Sequence, residues 1–303
     1  MLFAGSGAFG LPTLRSLVER GFDVPLVISQ PDKPAGRGKK LTPTPIAQFA
    51  IDHNLPLLRT GNINTESLPF ADVMVVIAFG QKIAPHIVNH ARYGAVNLHA
   101  SILPRHRGAA PIHWAILSGD AVTANSAIRL AEKMDAGAVL GTSDPIQIDL
   151  HTTAELHDRL AADGPGLILR IIEQLRAGTA VETVQDESKA TLAPKLSRQS
   201  AMIDFGRGAV EVARQINAMY AWPGCRVELL AGEQVAARLT LARAESIDGN
   251  GRAGVIDVEG AVGCGSGRLR IIEVQPAGGR VMRLVDFRNG RAWEAGMRLR
   301  SIG

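Results

Sequence analysis

At 303 residues with 46% apolar side chains, the chain is long enough for two cores, and with only 4% aromatics those cores must be built of Ala, Val, Leu and Ile. A net charge of +4 and a pI near 9.3 permit a polyanionic partner without demanding one. Two cysteines, Cys225 and Cys264, exclude a disulfide framework and a cysteine zinc site, so a reducing cytosol is the expected compartment; apolar runs of strand size, such as 73–79, exclude a membrane-spanning helix.

Residues 1–4 already read as a strand, without a signal-peptide pattern, and the short lead-in usual before such a strand is expected to lie upstream. Residues 9–20 place Leu11, Leu14, Leu17 and Val18 on one helical face, with Pro12 in the first turn and Gly21 at the end. Strands follow at 24–29, 73–79 and 95–98, and a helix over 152–175 carries Leu156, Leu160, Leu167, Ile168 and Ile171. Strands separated by helical patterns predict an α/β domain with a Rossmann-like parallel sheet over 1–177. Residues 178–200 are polar and without period, and read as a partly extended linker. From Gly224 onward short alternating runs are split by glycines, which predicts a small β-barrel in a second domain, 201–303.

The opening strand runs into Gly5-Ser6-Gly7-Ala8-Phe9-Gly10, the spelling of a dinucleotide-binding turn and hence of an NAD-dependent dehydrogenase. Such folds hold the ribose with an acid at the end of the second strand. Here that strand ends Ile28-Ser29-Gln30, with Asp23 too early and Asp32 beyond Pro31. The favoured reading is steric: Gly5 and Gly7 permit a tight turn, and Gly10 lets helix and strand pack closely.

The densest chemistry lies in residues 94–120, GAVNLHASILPRHRGAAPIHWAILSGD. A strand ends near Asn97-Leu98-His99, and residues two apart on an extended chain project to the same side. An amide and an imidazole are thus presented together at the C-terminal edge of a parallel sheet, where such folds place their sites. A turn through Pro104 and Gly108 follows, then a helix over 109–118. Asn plus His, with no cysteine and no serine triad, points to oxyanion stabilisation and proton transfer. The bland alternative is a strand-end cap, with His99 satisfied by backbone. His99, His106 and His113 recur every seven residues, but Pro104 and Gly108 break any helix that would align them, so no metal site is expected.

Asn97-Leu98-His99, followed by Ser101-Ile102-Leu103-Pro104 and Arg107-Gly108-Ala109-Ala110-Pro111, resembles the signature of the formyltetrahydrofolate-dependent formyltransferases. The resemblance implies that Asn97 and His99 are catalytic and that Ser101, Ile102, Leu103 and Pro104 bind the folate. It also implies a third catalytic residue, Asp135, in Asp135-Ala136-Gly137. Some relatives carry a second acid after that glycine, where this chain has Ala138.

Members of that family act on glycinamide ribonucleotide, aminosugars or methionyl-tRNA. Residues 30–50, QPDKPAGRGKKLTPTPIAQFA, resemble a loop peculiar to the branch acting on methionyl-tRNA, where it approaches the acceptor end of the tRNA. On residue types alone, Lys33, Arg37, Lys39 and Lys40 form either a solvated surface loop or a flexible basic arm for phosphates, with only Asp32 opposing them. AMYAWPGCRVEL and VQPAGGRVM resemble that branch's second domain, an OB-like barrel that assists tRNA binding. From residue 201 on there are 14 Arg and no Lys against 11 Asp plus Glu, and Arg268, Arg270, Arg280 and Arg283 gather about two strands. Trp222 reads as a packed corner.

The implied reaction moves the formyl group of 10-formyltetrahydrofolate to the α-amine of initiator methionyl-tRNA. The amine attacks the formyl carbon, and Asn97 and a protonated His99 donate to the oxyanion, each donor lowering the barrier by about 3 kcal/mol. Asp135 orients His99, holds its charged form and helps remove the amine proton, and N10 of the folate leaves once protonated. The pterin is expected in an apolar slot between the end of 73–79 and 101–104. The resemblance implies a monomer, with no metal and no covalent intermediate. An aminosugar N-formyltransferase, a dehydrogenase and a tRNA-binding module without catalysis stay open as other readings.

Overall fold

A computed structural model of the chain describes residues 1–35, 38 and 40–302. Two compact units emerge, one of Met1–Pro111, Thr123–Ile146 and His157–Leu192, the other of Ile112–Val122, Gln147–Leu156 and Ala193–Gly303. Through residue 177 the elements are β1 (Leu2–Gly5), α1 (Leu11–Glu19), β2 (Leu26–Ser29), β3 (Lys33–Ala35), β4 (Lys40–Thr42), α2 (Pro45–Asp52), β5 (Leu57–Arg59), β6 (Met74–Ile77), α3 (Pro85–Val88), β7 (Ala95–His99), α4 (Pro111–Ser118), β8 (Val122–Thr123), β9 (Ser126–Arg129), β10 (Val139–Thr142), β11 (Ile146–Gln147) and α5 (Thr153–Ala177).

In the first unit one sheet runs β10-β9-β7-β6-β1-β2-β5. The last five in that row are parallel, and β9 and β10 are antiparallel to their neighbours. This is the Rossmann-like sheet expected from the alternating pattern. Chain order reverses between β1 and β6, so the crevice beyond their C-terminal ends is the switch point where such sheets carry ligands. Every residue of β1 and of β6 is buried. Side chains alternate faces along a strand, so both faces of the sheet are covered there, which is why the runs read as unbroken apolar text.

Helix α1 buries Leu14 and Leu17, and Gly21, at φ 74°, takes the chain off the helix. Helix α5 contains Gly164 and Pro165; a Cβ on Gly164 would lie 2.7 Å from Leu98 Cδ2 and 3.2 Å from Thr13 Oγ1. The helix therefore lies at glycine distance from the strand that bears Asn97 and His99. Beyond α5 the polar stretch is hydrogen-bonded into the same unit: Thr183 exchanges backbone bonds with Val139 at 2.8 and 2.9 Å, and Thr191 O accepts from Arg107 N at 2.9 Å.

The second unit holds α6 (Ala209–Met219), β12 (Cys225–Ala231), β13 (Gln234–Ile247), β14 (Val262–Gly263), β15 (Arg268–Pro276), β16 (Met282–Arg283), α7 (Leu284–Arg288) and β17 (Arg298–Ser301). Its antiparallel sheet is ordered β14-β15-β13-β12-β17. Register shifts in the β12–β13 and β13–β15 pairs bend the strands. Single bridges from Ile256 to Val262 and from Val255 to Arg298 tie the two edge strands together. The result is a curled half-barrel around Val227, Leu229, Leu241, Leu269, Val274 and Phe287, in keeping with the OB-like expectation.

Candidate active site

The glycine turn after β1 is fastened to the end of β6. Ser6 N and Gly7 N both donate to Ala78 O at 3.3 Å. Ser6 Oγ donates to Phe79 O at 3.2 Å and accepts from Gln30 N at 3.1 Å, while Gln30 Nε2 donates to Phe79 O at 2.9 Å. A Cβ on Gly5 would lie 2.9 Å from Ile77 O, and one on Gly10 3.3 Å from Ile77 Cβ. The glycines thus serve close approach. The N–H groups that a pyrophosphate would require are occupied by Ala78, and an amide side chain, Gln30, stands where a dinucleotide site needs an acid.

One strand beyond the switch point, β7 carries Asn97 and His99 on the same side, with Asn97 between Val76 of β6 and Ile128 of β9. Asn97 is half-buried, and among the described residues nothing hydrogen-bonds its side-chain amide. His99 is only 6% exposed. Its Nε2 lies 2.9 Å from His106 O, and its Nδ1 lies 3.6 Å from Asp135 Oδ2. A carbonyl can only accept, so Nε2 carries a hydrogen, and Nδ1 is the nitrogen left to exchange a proton. At 3.6 Å the contact with Asp135 exceeds a hydrogen bond, which leaves Nδ1 available to a substrate group. Asp135 Oδ2 also accepts from Gly108 N at 2.9 Å. The turn beneath is tight: Asp135 sits at φ 51°, and a Cβ on Gly137 would fall 1.8 Å from Arg129 O. One amide donor without a partner, one imidazole with a directed Nδ1 and one carboxylate suit oxyanion stabilisation coupled to proton transfer.

The expected folate segment divides in two. Ser101 is fully buried; its Oγ donates to Arg105 O at 2.7 Å, and its carbonyl accepts from Ser126 Oγ at 2.7 Å. Leu103 is buried, and its N donates to Ser126 Oγ at 3.2 Å. These two residues build the turn. Ile102 and Pro104 are half-buried.

The basic arm is a hairpin rather than a free loop: β3 pairs with β4, Lys33 opposite Thr42 and Ala35 opposite Lys40. Lys33 and Lys40 are exposed, Lys33 Nζ donating to Gln30 Oε1 at 2.6 Å; Arg37 and Lys39 lie outside the described residues. Asp32, expected to oppose these cations, pairs with Arg59 at 2.9 Å. In the second unit the arginines near β15 are engaged by acids: Arg268 by Asp257 and Glu259 at 2.8 Å, Arg270 by Glu245 at 2.6 Å and Arg283 by Asp286 at 3.2 Å. Three of the four arginines gathered there thus stand in ion pairs. Trp222 is 56% exposed, not a packed corner.

Sequence reasoning passed over the buried polar group behind Asp135. The Arg107 side chain is 2% exposed and meets Glu187 Oε1 at 2.6 Å. Hydrogen bonds from Arg107 and then Lys133 hold the Glu187 carboxyl down at about 2. Gln185 lies between Arg107 and the Asp135 turn. Its only sequence signal was a polar stretch, VQDESK, with no period.

Residues 1–172 match a family model described as formyl transferase, and residues 195–292 one described as formyl transferase, C-terminal domain. The chain is 39% identical over 310 residues to the methionyl-tRNA formyltransferase of Methylococcus capsulatus, covering 99% of both. It is 39% identical over 307 residues to that of Phenylobacterium zucineum, again covering 99% of both. Among solved structures, the N-formyltransferase of Helicobacter canadensis, crystallised with folinic acid and dTDP-3-aminofucose, shares the fold at a TM-score of 0.65 and 14% identity, over 88% of this chain and 97% of that one.

Proposed function

The chain belongs to the formyl transferase family, with methionyl-tRNA formyltransferases as its full-length relatives, and from that premise we propose that it transfers the formyl group of 10-formyltetrahydrofolate to the α-amine of initiator methionyl-tRNA. The observation that carries the reading is the Asn97 amide, unpartnered among the described residues, beside the His99–Asp135 pair at 3.6 Å, one strand from the switch point. The amine nitrogen attacks the formyl carbon, and the carbonyl oxygen gains the charge. Asn97 donates to that oxygen, and so does a proton on His99 Nδ1, which Asp135 at 3.6 Å leaves available. Asp135 helps take the amine proton; the C–N10 bond then breaks, and N10 of the folate leaves with that proton, passed on directly or through water. His106 O holds the other edge of the imidazole throughout.

Ile102 and Pro104 flank the pterin, with Ser101 and Leu103 shaping the turn behind them. Lys33 and Lys40, joined by Arg37 and Lys39, meet tRNA phosphates. Along the chain, 1–177 carries the catalytic residues, 178–200 leads to the second domain with its part up to Leu192 packed into the first unit, and 201–303 assists tRNA binding. The enzyme works as a cytoplasmic monomer; no described helix is long and apolar enough to cross a membrane. The dehydrogenase reading of GSGAFG is dropped, since the turn's N–H groups are taken by Ala78. An aminosugar acceptor would use the same three residues but gives the lysine hairpin no role.

The test is formyl transfer from a radiolabelled donor to charged initiator tRNA, with a dTDP-aminosugar in a parallel arm. Asn97→Ala and His99→Ala should each lower kcat by about 10²- to 10³-fold while tRNA binding holds. Near-normal turnover in both, or transfer only to the sugar, would sink the reading.

A further inference from the structure

We propose that Gln185 is a positioning residue for Asp135, a role that rests on Asp135 being a catalytic group. Gln185 is 7% exposed, and its amide has no hydrogen-bonding position left over. Oε1 accepts two bonds from Arg107, from Nε at 3.0 Å and from Nη2 at 2.8 Å. Nε2 donates to Asp135 O at 2.8 Å and to Gly137 O at 2.7 Å. One amide therefore grips the carbonyls on either side of Ala136, in the turn whose first residue is left-handed.

Arg129 O closes on the same turn, where Gly137 leaves no room for a Cβ. Gln185 and Arg129 together hold the turn that carries Asp135. Its carboxylate can then address only what the clamp aims it at, namely Gly108 N and His99 Nδ1. Arg107 connects the same parts from the other direction: its guanidinium orients Gln185, and the next residue, Gly108, supplies the N–H for Asp135. Glu187, shared between Arg107 and Lys133, fixes the guanidinium in turn. A residue needed only to fill space here would be apolar, since a buried amide must find every partner it lost in water. The geometry is that of a support holding a reactive group in its productive orientation.

Gln185→Glu keeps the size and the Arg107 contact but turns an oxygen toward both carbonyls. A shift of the carboxylate by a fraction of an ångström should lower kcat about 10- to 100-fold, with KM for folate and tRNA within about twofold and the acidic limb of the pH–rate profile displaced. Gln185→Met, apolar and similar in length, should act in the same direction and decides the matter if Gln185→Glu does not fold. In an Asp135→Asn background, single-turnover formyl transfer should lose nothing further on adding Gln185→Glu or Gln185→Met. Wild-type kcat in both Gln185 variants, or losses that multiply in the double variants, would overturn the proposal. Normal turnover in Asp135→Asn alone would instead overturn the reading of Asp135, and the support role with it.

Discussion

A carbonyl oxygen, not a carboxylate, decides which nitrogen of His99 is left to exchange a proton. His106 O holds Nε2 at 2.9 Å, so Nδ1 is the nitrogen that faces Asp135 and, in the proposed reaction, the substrate. Gly137 shows how little tolerance the turn has: with Arg129 O at 1.8 Å from any Cβ, and backbone on both sides, neither partner can yield. Gly137→Ala should lower the melting temperature sharply and abolish turnover, measured by thermal unfolding and the formyl-transfer assay; unchanged melting would contradict the packing. Glu187 supplies a pH test. Hydrogen bonds from Arg107 and Lys133 hold its carboxyl at about 2, against an ordinary value of 4.5. A carboxyl depressed on folding stabilises above the unfolded value, and that contribution fades as pH falls from about 4.5 to about 2. Glu187→Gln should therefore flatten the loss of stability between pH 4.5 and 2, and chemical unfolding at pH 5 and pH 3 reads the difference.

At the scale of elements, the start of α2 ties the lysine hairpin to the sheet. Thr44 caps that helix, its hydroxyl accepting from Ala47 N at 3.1 Å and meeting Ser29 Oγ at 2.6 Å. Thr44→Ala should cost about 1 kcal/mol in unfolding free energy. The hairpin itself projects Lys40 into solvent, so Lys40→Ala should reduce the salt dependence of tRNA binding by about one phosphate contact and leave kcat nearly unchanged. An unaltered salt slope would remove Lys40 from the interface. Helix α5 approaches β7 through Gly164, and there two effects oppose. Alanine gains about 1 kcal/mol of helix propensity, but its Cβ would press on Leu98 Cδ2 at 2.7 Å inside a packed core, which costs about 1–3 kcal/mol. The clash should win, so that Gly164→Ala lowers the melting temperature and disturbs the strand between Asn97 and His99.

Over the whole molecule, the two thiols report on one unit. Burial pushes Cys225 up to about 12 and Cys264 up to about 11. Both should resist iodoacetamide in the folded protein at neutral pH and react together once the half-barrel opens; labelling of the native chain would mean that this core breathes. Much of the architecture was legible beforehand. Unbroken apolar runs at β1 and β6, helical periodicity between them and glycine-split alternating runs after Gly224 predicted both folds, because burial pattern follows directly from side-chain order. The local text NLH also announced an amide and an imidazole on one side of a strand, since a period of two is a property of the extended chain alone. The basic stretch was legible as charge but not as a hairpin, and its counter-ion was misassigned because Arg59 comes from a different strand. Nothing near Asp135 in sequence pointed to Gln185, which lies 50 residues away. The amino-acid order by itself determined which strands and helices form and which side chains each offers. Only the tertiary structure decided which polar groups lose water and must find one another, because those partners are chosen by packing between distant segments.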